Sequence, residues 1–216
     1  MHSRWLSNAY LVADEPEGTA VFVDSGAPLE PLLAVVERER LTPTHLLVTH
    51  GHHDHVAGND ELVRRFGIPV AQDSLATGGL EIAALPSPGH APDGRAFRVN
   101  DEVVFTGDTL FRDAVGGGAD VDEIRRSVMD VLMALPPELR VLPGHTDETT
   151  IGREWEENPF VRFWRGLDPS VGEPCRVGGR EATLVVWSPD YDGKGKALIR
   201  FAEGDEAIVG GSQVER

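Results

Sequence analysis

Apolar and polar residues alternate along the first two thirds of the chain in a way that predicts short strands. Runs of strand length, rich in Val, Leu and Ile, lie at residues 8–14, 19–26, 44–50 and 68–73. Further runs of the same kind lie at residues 80–86, 96–100, 102–108 and 140–145. Turn-forming Gly, Pro and Asp residues interrupt the sequence between these runs, as expected where strands end in loops.

Helical periodicity occurs between the predicted strands. Residues 28–40 repeat leucine at a spacing of three to four, which predicts an amphipathic helix. Residues 59–67 predict a second helix that ends on Gly67 as its C-cap. Residues 120–136 predict a third, with aspartate at its start and proline at its end. Because strands and helices are mixed throughout, an all-α or all-β fold is excluded.

The last part of the chain has a different pattern. Residues 180–216 predict three short strands, separated by turn-rich segments at 188–196 and 203–206. We therefore expect residues 1–167 to form the main domain and residues 168–216 a β-rich extension packed on its core. Strands of this kind also form subunit contacts, so a homodimer stays open as an alternative to a monomer.

Length and composition indicate an ordinary globular protein. The chain has 216 residues, of which 40% are hydrophobic, and no apolar stretch approaches the about 20 residues that a membrane-spanning helix needs. The first residues lack the pattern of a secretory signal peptide. A single cysteine, Cys175, excludes an internal disulfide. We expect a cytoplasmic protein.

The charge of the chain restricts its partners. The net charge is −16 and the isoelectric point about 4.8. Such a surface repels phosphate backbones and anionic lipids, which attract basic proteins. We expect a small-molecule substrate, with neither nucleic acid nor membrane as a partner.

Candidate chemistry is concentrated directly after the third predicted strand. The segment LLVTHGHHDHVAG has four histidines and one aspartate within six positions, in the pattern H-x-H-x-D-H formed by His50, His52, Asp54 and His55. In a loop at the end of a strand, these four side chains can converge on one point. Neutral imidazoles bind Zn or Fe, and a carboxylate adds negative charge to hold a divalent cation.

Three further residues occupy similar positions. His90 and His145 each follow a Pro-Gly pair near the end of an apolar segment, and Asp108 follows a glycine where another strand ends. Loops at strand ends carry functional groups on one edge of a sheet. Single histidines of this kind are often structural, but the ordered set of seven is specific for a metal site.

The ordered set H-x-H-x-D-H, Gly-His, Gly-Asp and Gly-His resembles the metallo-β-lactamase fold hydrolases. The flanking segments TGDTLF and PGHTDETTIGREWEENPF resemble the glyoxalase II branch, the hydroxyacyl-thiol hydrolases. The resemblance covers about residues 8–160. It implies an α/β fold, specifically an αββα four-layer sandwich with two sheets face to face and helices outside.

The resemblance also implies two metal-binding groups and the role of each ligand. One divalent ion would be held by His50, His52 and His90, and the other by Asp54, His55 and His145. Asp108 would bridge the two. Asp24 corresponds to a carboxylate that orients a ligating histidine, as metal-bound histidines usually require.

This arrangement implies a hydrolase that uses two divalent metal ions and a hydroxide bridging them. Zinc is favoured, with iron or manganese as alternatives. Asp54 would be the catalytic residue, since it would both bind metal and orient the hydroxide. A thiolate leaves without much proton donation because its pKa is already about 8.5, so the expected substrate is a thioester of a low-molecular-weight thiol.

The chain differs from related branches of this fold at several motifs, and these differences leave alternative functions open. Persulfide dioxygenases use one iron and usually carry Cys-Gly-Arg in the stretch that corresponds to residues 112–120, where this chain lacks it. Lactonases of this fold tend to have tyrosine where this chain has Phe111. Glyoxalase II proteins often have a helical, basic C-terminal domain, which the β-rich tail replaces. A mononuclear-iron persulfide dioxygenase and a hydrolase of lactones or other esters remain alternatives; intact ligands disfavour a non-catalytic binding module.

Other residues are given less specific roles. His2, His45 and His53 are interpreted as structural, His53 because alternation along a strand would turn it away from its neighbours. Cys175 is interpreted as a packing residue, and residues 116–120 as a flexible loop at the border of the site. Arg112, Arg153 and Arg162 are candidates to line a substrate pocket.

Overall fold

The first part of the chain forms a four-stranded sheet with helices between its strands. A computed structural model describes residues 5–216, so His2 lies outside the described residues. The strands are β1 (Tyr10–Ala13), β2 (Thr19–Val23), β3 (Thr42–Leu47) and β4 (Val70–Ala71), paired in that order. The helices are α1 (Glu30–Glu39), α2 (His53–Val56) and α3 (Asn59–Phe66).

The middle of the chain forms a six-stranded sheet. Its strands are β5 (Leu75–Thr77), β6 (Leu80–Pro86), β7 (Arg95–Val99), β8 (Val103–Gly107), β9 (Arg140–Pro143) and β10 (Thr149–Thr150). They pair in the order β10-β9-β8-β7-β6-β5, and only β8 and β9 are parallel neighbours. The helices of this part are α4 (Val121–Arg126), α5 (Ile151–Glu157) and α6 (Pro159–Trp164).

The predicted helix boundaries are confirmed at two positions and differ at a third. Gly67 ends α3 in the left-handed conformation, with φ of 67°, and its N–H donates to the carbonyl of Val63. Asp120 caps α4 by accepting a hydrogen bond from the N–H of Glu123. Beyond α4 the chain continues as a wider π-helical turn, Ser127–Leu132, and stops before the predicted end at residue 136.

The last part of the chain forms a third sheet. Its strands are β11 (Glu173–Val177), β12 (Arg180–Ser188), β13 (Lys196–Phe201), β14 (Glu206–Gly210) and β15 (Val214–Glu215). They pair in the order β14-β13-β12-β11-β15, entirely antiparallel. The three strands predicted within residues 180–216 are β12, β13 and β14, and the structure adds β11 before them and the short β15 after them.

The first two sheets pack face to face between layers of helices. Along β2, Ala20 and Phe22 join a buried cluster with α1 and α3, whereas Val21 and Val23 join a second cluster with β7 and β8. This alternation gives one strand two buried faces, because successive side chains point to opposite sides of a sheet. The predicted αββα sandwich is confirmed.

The third sheet covers the helices on the outer side of the six-stranded sheet. Val185 and Leu198 belong to the same buried cluster as Val104 of β8, Ile124 of α4 and Phe160 of α6. The division of the chain into residues 1–167 and 168–216 stays a prediction. Within the described residues, no helix is long and apolar enough to span a membrane.

Shortening a buried side chain of the third sheet tests how strongly this layer stabilises the fold. Leu198 is fully buried in the shared cluster, so Leu198→Ala is expected to lower the free energy of unfolding by about 2–5 kcal/mol. Thr183→Ala, at an exposed position of β12, is the matched control and should change it by less than about 0.5 kcal/mol. Urea unfolding followed by circular dichroism measures both; equal stability of the two variants would contradict a shared core.

Candidate metal centre

The candidate ligands converge because they follow strands that end at the same edge of the sandwich. Asp24 follows β2 and His50 follows β3, which is parallel to β2. His90, Asp108 and His145 follow β6, β8 and β9. These three strands also run in one direction, because β6 and β8 are both antiparallel to β7 and β9 is parallel to β8.

The H-x-H-x-D-H segment changes from extended chain to helix within the site. His52 is extended (φ −66°, ψ 144°) and precedes α2 as its N-cap. Asp54 and His55 therefore lie in a helical turn, and His53 starts it. His53 is separated from the other histidines by this turn, not by strand alternation as predicted from sequence, and its ring lies 5.0 Å from that of Trp5.

The first candidate metal-binding group is formed by His50, His52 and His90. Nδ1 of His52 lies 3.0 Å from Nε2 of His50 and 3.0 Å from Nε2 of His90. Nδ1 of His90 lies 2.9 Å from the carbonyl oxygen of Gly117, to which it can donate only when protonated, so Nε2 of a neutral His90 is a lone-pair donor directed into the cluster. Three ring nitrogens in such close proximity fit a cation between them.

The second group is formed by Asp54, His55 and His145. Oδ2 of Asp54 lies 3.5 Å from Nε2 of His145 and 3.8 Å from Nε2 of His55. Nδ1 of His145 is 3.0 Å from the carbonyl oxygen of Leu6, which leaves Nε2 facing the centre. The group therefore offers two imidazole nitrogens and a carboxylate oxygen, a donor set that suits a divalent metal ion.

Asp108 lies between the two groups. Its Oδ2 is 3.3 Å from Nε2 of His145 and 3.5 Å from Nε2 of His90, so one oxygen borders a histidine of each group. Its Oδ1 is 3.2 Å from Nε2 of His55. Among the described residues, Asp108 is the carboxylate that is in contact with both groups.

Two buried atoms at the centre lack hydrogen-bond partners within residues 5–216. They are Nε2 of His55 and Oδ1 of Asp108, which approach each other without forming a hydrogen bond. Buried polar atoms are nearly always satisfied, so an orphaned pair needs an explanation. A metal ion bound by both atoms supplies one, and the cluster fits a divalent metal site.

Asp24 orients His55. Its Oδ2 lies 2.8 Å from Nδ1 of His55 and accepts a hydrogen bond from the hydroxyl of Thr49, while Oδ1 accepts one from the Thr49 N–H. Since the carboxylate fixes the proton on Nδ1, Nε2 of His55 is left to face Asp108. The position agrees with the role implied for Asp24 by the sequence.

The histidines of the two groups differ in protonation. Burial lowers the pKa of His50 to about 3 and also lowers that of His90. Burial acts in the same direction on His55 and His145, but Asp108 and a second carboxylate next to each ring outweigh it and raise their pKa values to about 10 and about 9. In the metal-free protein at neutral pH, His50 and His90 are therefore neutral, and His55 and His145 are cationic.

The carboxylates stay ionised. The hydrogen bond from His145 lowers the pKa of Asp54 more than burial raises it. Burial raises the pKa of Asp108, but His145 and His55 together hold it well below its usual range. Both residues are anionic at neutral pH, as metal ligands must be.

Close packing requires glycine beside the cluster. A Cβ atom at Gly144 would lie 2.3 Å from Oδ1 of Asp108 and 2.6 Å from Cε1 of His55. One at Gly26 would lie 1.5 Å from the carbonyl oxygen of Asp54. The glycine before His145 is thus a steric requirement of the site, and the repeated Pro-Gly-His pattern was a sequence signal for it.

Sequence reasoning did not identify Tyr191, the residue that the third sheet places beside the site. The loop between β12 and β13 places the ring of Tyr191 flat on that of His145, with centroids 4.1 Å apart and planes 9° apart. Next to it, Nζ of Lys196 lies 3.0 Å from Oδ2 of Asp190. The only available signal was a polar 188–196 segment that contains both lysines of the chain.

The third sheet also reaches the first group. Gly118 exchanges two backbone hydrogen bonds with Ile208 of β14, of 3.0 and 2.9 Å, and the adjacent Gly117 carbonyl is the one next to Nδ1 of His90. Residues 116–118 therefore border the site, but they are held by a strand and are not a free loop.

The arginines proposed to line the pocket are engaged elsewhere. Arg153 pairs with Asp113 and Glu154 at 2.7 Å each. Arg162 pairs with Asp168 at 2.7 Å. Arg112 approaches Asp113 at 4.0 Å. Acidic neighbours thus compensate these cations, and the prediction that they serve a substrate is not supported for Arg153 and Arg162.

Comparison with known proteins identifies the family. The sequence model of the metallo-beta-lactamase superfamily matches residues 2–76. A hydroxyacylglutathione hydrolase of Rhodopseudomonas palustris is 31% identical over 94% of this chain and 85% of its own length. An uncharacterized protein of Mycobacterium tuberculosis is 32% identical over 71% of this chain and 92% of its own. The chain belongs to the metallo-beta-lactamase superfamily, as the sequence motifs indicated.

A further relative is described as a zinc enzyme. A probable polyketide biosynthesis zinc-dependent hydrolase of Bacillus velezensis is 24% identical over 72% of this chain and 80% of its own length. Together, these similarities identify the chain as a metallo-hydrolase in the broad sense.

Solved structures give the same family, and one of them is described as di-iron-bound. BLEG-1 B3 metallo-beta-lactamase superposes with a TM-score of 0.68 and 27% identity, covering 74% of this chain and 96% of its own. ETHE1 from Myxococcus xanthus gives 0.65 and 29%, covering 74% and 82%. TTHA1623 in a di-iron-bound form gives 0.62 and 33%, covering 74% and 98%.

Removing the charge between the two groups should reduce metal binding. We expect Asp108→Asn to bind about one metal ion per chain or fewer, against about two in the wild type, because a neutral amide cannot offset two dications. Asp93→Asn is the control, since Asp93 lies near Gly51 but outside both candidate groups. Elemental analysis after dialysis measures both; full occupancy in Asp108→Asn would contradict the bridging position.

Metal binding at pH 7 should release protons from His55 and His145 and not from His50 and His90. A metal needs a neutral ring, and His55 and His145 have pKa values of about 10 and about 9, so each must lose a proton. His50 and His90 are already neutral. We expect these two rings to contribute about two protons per chain to the release, and the affinity of the second group to rise with pH up to about 9–10.

Titration calorimetry of the metal-free protein in buffers of different ionisation enthalpy measures this release. His145→Ala should reduce it by about one proton, whereas the control His45→Ala should leave it unchanged. Metal binding without proton release would show that the cationic state assigned to His55 and His145 is wrong.

Proposed function

We propose that the protein is a metal-dependent hydrolase of acyl thioesters formed with a low-molecular-weight thiol. The observation that supports this most directly is the position of Asp108 between two histidine groups, next to the partly exposed carboxylate of Asp54. Divalent ions held by these groups would supply Lewis acidity toward the acyl carbonyl and lower the pKa of water. Similarity to hydroxyacylglutathione hydrolase supports the thioester as substrate.

Asp54 is the chain's own catalytic group in this proposal. Its side chain is 29% exposed, whereas His55 and His145 behind it are 0% and 2% exposed. It is therefore the residue of the second group that a substrate and a water can reach. As a carboxylate, Asp54 accepts a hydrogen bond from the attacking water, which orients that water's lone pair.

The leaving group follows from the side chains that the site offers. Cleavage of an amide requires an acid to protonate nitrogen, but the side chains of both candidate groups would be taken up as metal ligands. A thiolate departs as an anion without such help, because thiols have a pKa of about 8.5. The chemistry of the side chains therefore favours thioesters over β-lactams and other amides.

Zinc is the proposed metal, and iron is the alternative. Imidazole and carboxylate ligands suit both ions. The zinc-dependent relative favours zinc, and the di-iron-bound TTHA1623 structure favours iron. We propose a small-molecule substrate and neither a nucleic-acid nor a membrane partner, in keeping with the net charge of −16.

A mononuclear-iron persulfide dioxygenase is the second candidate. His50, His52 and His90 form a group that can hold one ion by itself, with His52 exposed to solvent. The similarity to ETHE1, at 29% identity, shows that the fold is shared with a protein that is not described as a lactamase. This candidate differs from the main proposal in metal number and in its need for oxygen.

A substrate panel combined with a matched pair of variants tests the proposal. We expect hydrolysis of S-acyl thioesters of several thiols, including S-D-lactoylglutathione, and little action on a homoserine lactone or a β-lactam. Asp54→Asn should lower kcat by about a hundredfold or more, as expected for loss of a general base. The control Asp60→Asn changes an exposed residue of α3 and should match the wild type.

Oxygen consumption separates the two candidates. If glutathione persulfide drives oxygen uptake while every thioester is left intact, the hydrolase proposal is wrong and the dioxygenase is correct. Elemental analysis of the same preparation distinguishes one iron per chain from two metal ions.

A further inference from the structure

The loop between β12 and β13 brings an aromatic side chain from the third sheet to the metal centre. Tyr191 stacks on His145, and its ring also makes an edge contact with Phe111 at 5.7 Å between centroids. Phe111 itself lies 5.8 Å from the His145 ring. Tyr191 thus belongs to an aromatic wall beside the second metal-binding group.

A buried ion pair fixes this loop. The side chains of Asp190 and Lys196 are 4% and 9% exposed, and they join the two ends of the loop. Nζ of Lys196 lies 5.7 Å from the Tyr191 ring and 5.8 Å from the Phe111 ring. Burying such a pair costs desolvation free energy, but it joins the two ends of the loop and so restricts the position of Tyr191 between them.

The open side of the cluster is formed by His52 and Asp54. His52 is exposed and Asp54 partly exposed, whereas His55 and His145 are enclosed. A substrate therefore approaches over His52 and Asp54, and Tyr191 stacks on His145, which belongs to the same group as Asp54.

The hydroxyl of Tyr191 is available to a substrate. Within residues 5–216 the hydrogen bond of Tyr191 is made by its backbone N–H, which donates to Oδ1 of Asp190, and the hydroxyl makes none. Tyr191 is half-buried, and its ring lies flat on a ligand of the second metal-binding group. A phenol placed there is a donor without an acceptor.

We propose that Tyr191 is a substrate-contacting residue whose hydroxyl donates a hydrogen bond to the acyl oxygen of the substrate, while its ring forms a wall of the acyl pocket. The proposal rests on the proposed thioester hydrolysis. No proton is transferred: the hydrogen bond becomes stronger as negative charge develops on the oxygen when water attacks the carbonyl carbon.

Tyr191→Phe isolates the hydroxyl, because it retains the ring and its stacking on His145. The matched control is Lys194→Gln, which changes an exposed residue of the same loop. We expect Tyr191→Phe to bind metal as the wild type does and to lower kcat on thioesters by about tenfold to a hundredfold, the effect of a hydrogen bond to a charged acceptor, with a smaller change in KM. Lys194→Gln should retain wild-type values.

A binding measurement provides a readout that is independent of turnover. Acetohydroxamate presents a carbonyl oxygen while it chelates a metal ion, and calorimetry gives its Kd for the metal-loaded wild type and both variants. We expect the Kd of Tyr191→Phe to be raised by about fivefold or more, and that of Lys194→Gln to be unchanged.

These measurements separate the two proposals. A wild type that cleaves no thioester overturns the proposed function, yet the Kd ratio still decides the role of Tyr191. Wild-type kcat and Kd in Tyr191→Phe would overturn the contact with the acyl oxygen. Loss of metal from Tyr191→Phe would do the same, since the residue would then act only by supporting His145.

Discussion

The buried carboxylate of Asp108 is the constraint on which the rest of the site depends. An anion enclosed by protein is stable only when positive charge or hydrogen-bond donors surround it. Here the positive charge comes from the imidazoles of His55 and His145, which lie 3.2 and 3.3 Å from the two oxygens of Asp108, and a bound metal ion would add to it. Asp24 then fixes the proton of one imidazole, and Gly144 leaves the space in which the carboxylate lies. The packing of the sandwich therefore determines the charge balance of the site, because it brings these charged groups together.

Much of this arrangement could be predicted from sequence because the constraints are local. The segment His50–His55 combines ligand-type residues at short spacing, and each remaining ligand follows an apolar run that ends in glycine. Strand ends in a two-sheet fold meet at one edge, so the convergence of His90, Asp108 and His145 followed from the pattern. The C-cap at Gly67 followed from equally local chemistry. The role of each of these residues is determined by the residues that flank it in the sequence.

The parts that sequence did not predict depend on contacts between distant segments. The helical turn at His53 is too short to show a periodicity, since it has only four residues. The ion pairs of Arg153 and Arg162 involve partners that no motif links to them. Tyr191 follows His145 by 46 positions in the numbering of the chain, and nothing in its polar surroundings indicates an aromatic stack. Substrate recognition depends on such contacts, so the reaction class is easier to derive than the substrate.

The pairing of Gly118 with Ile208 has a thermodynamic consequence when it is combined with the stack on His145. Both contacts join the third sheet to metal-binding histidines, one in each group, so the order of the sheet and the order of the ligands are linked equilibria. A ligand that binds only the native state adds about 2.7 kcal/mol to stability at a free concentration of 100 times its Kd. Metal binding would therefore raise the free energy of unfolding of the third sheet, although this sheet supplies none of the ligands. Conversely, local unfolding of β14 would weaken metal binding. The metal occupancy of the site and the stability of the C-terminal strands are therefore coupled.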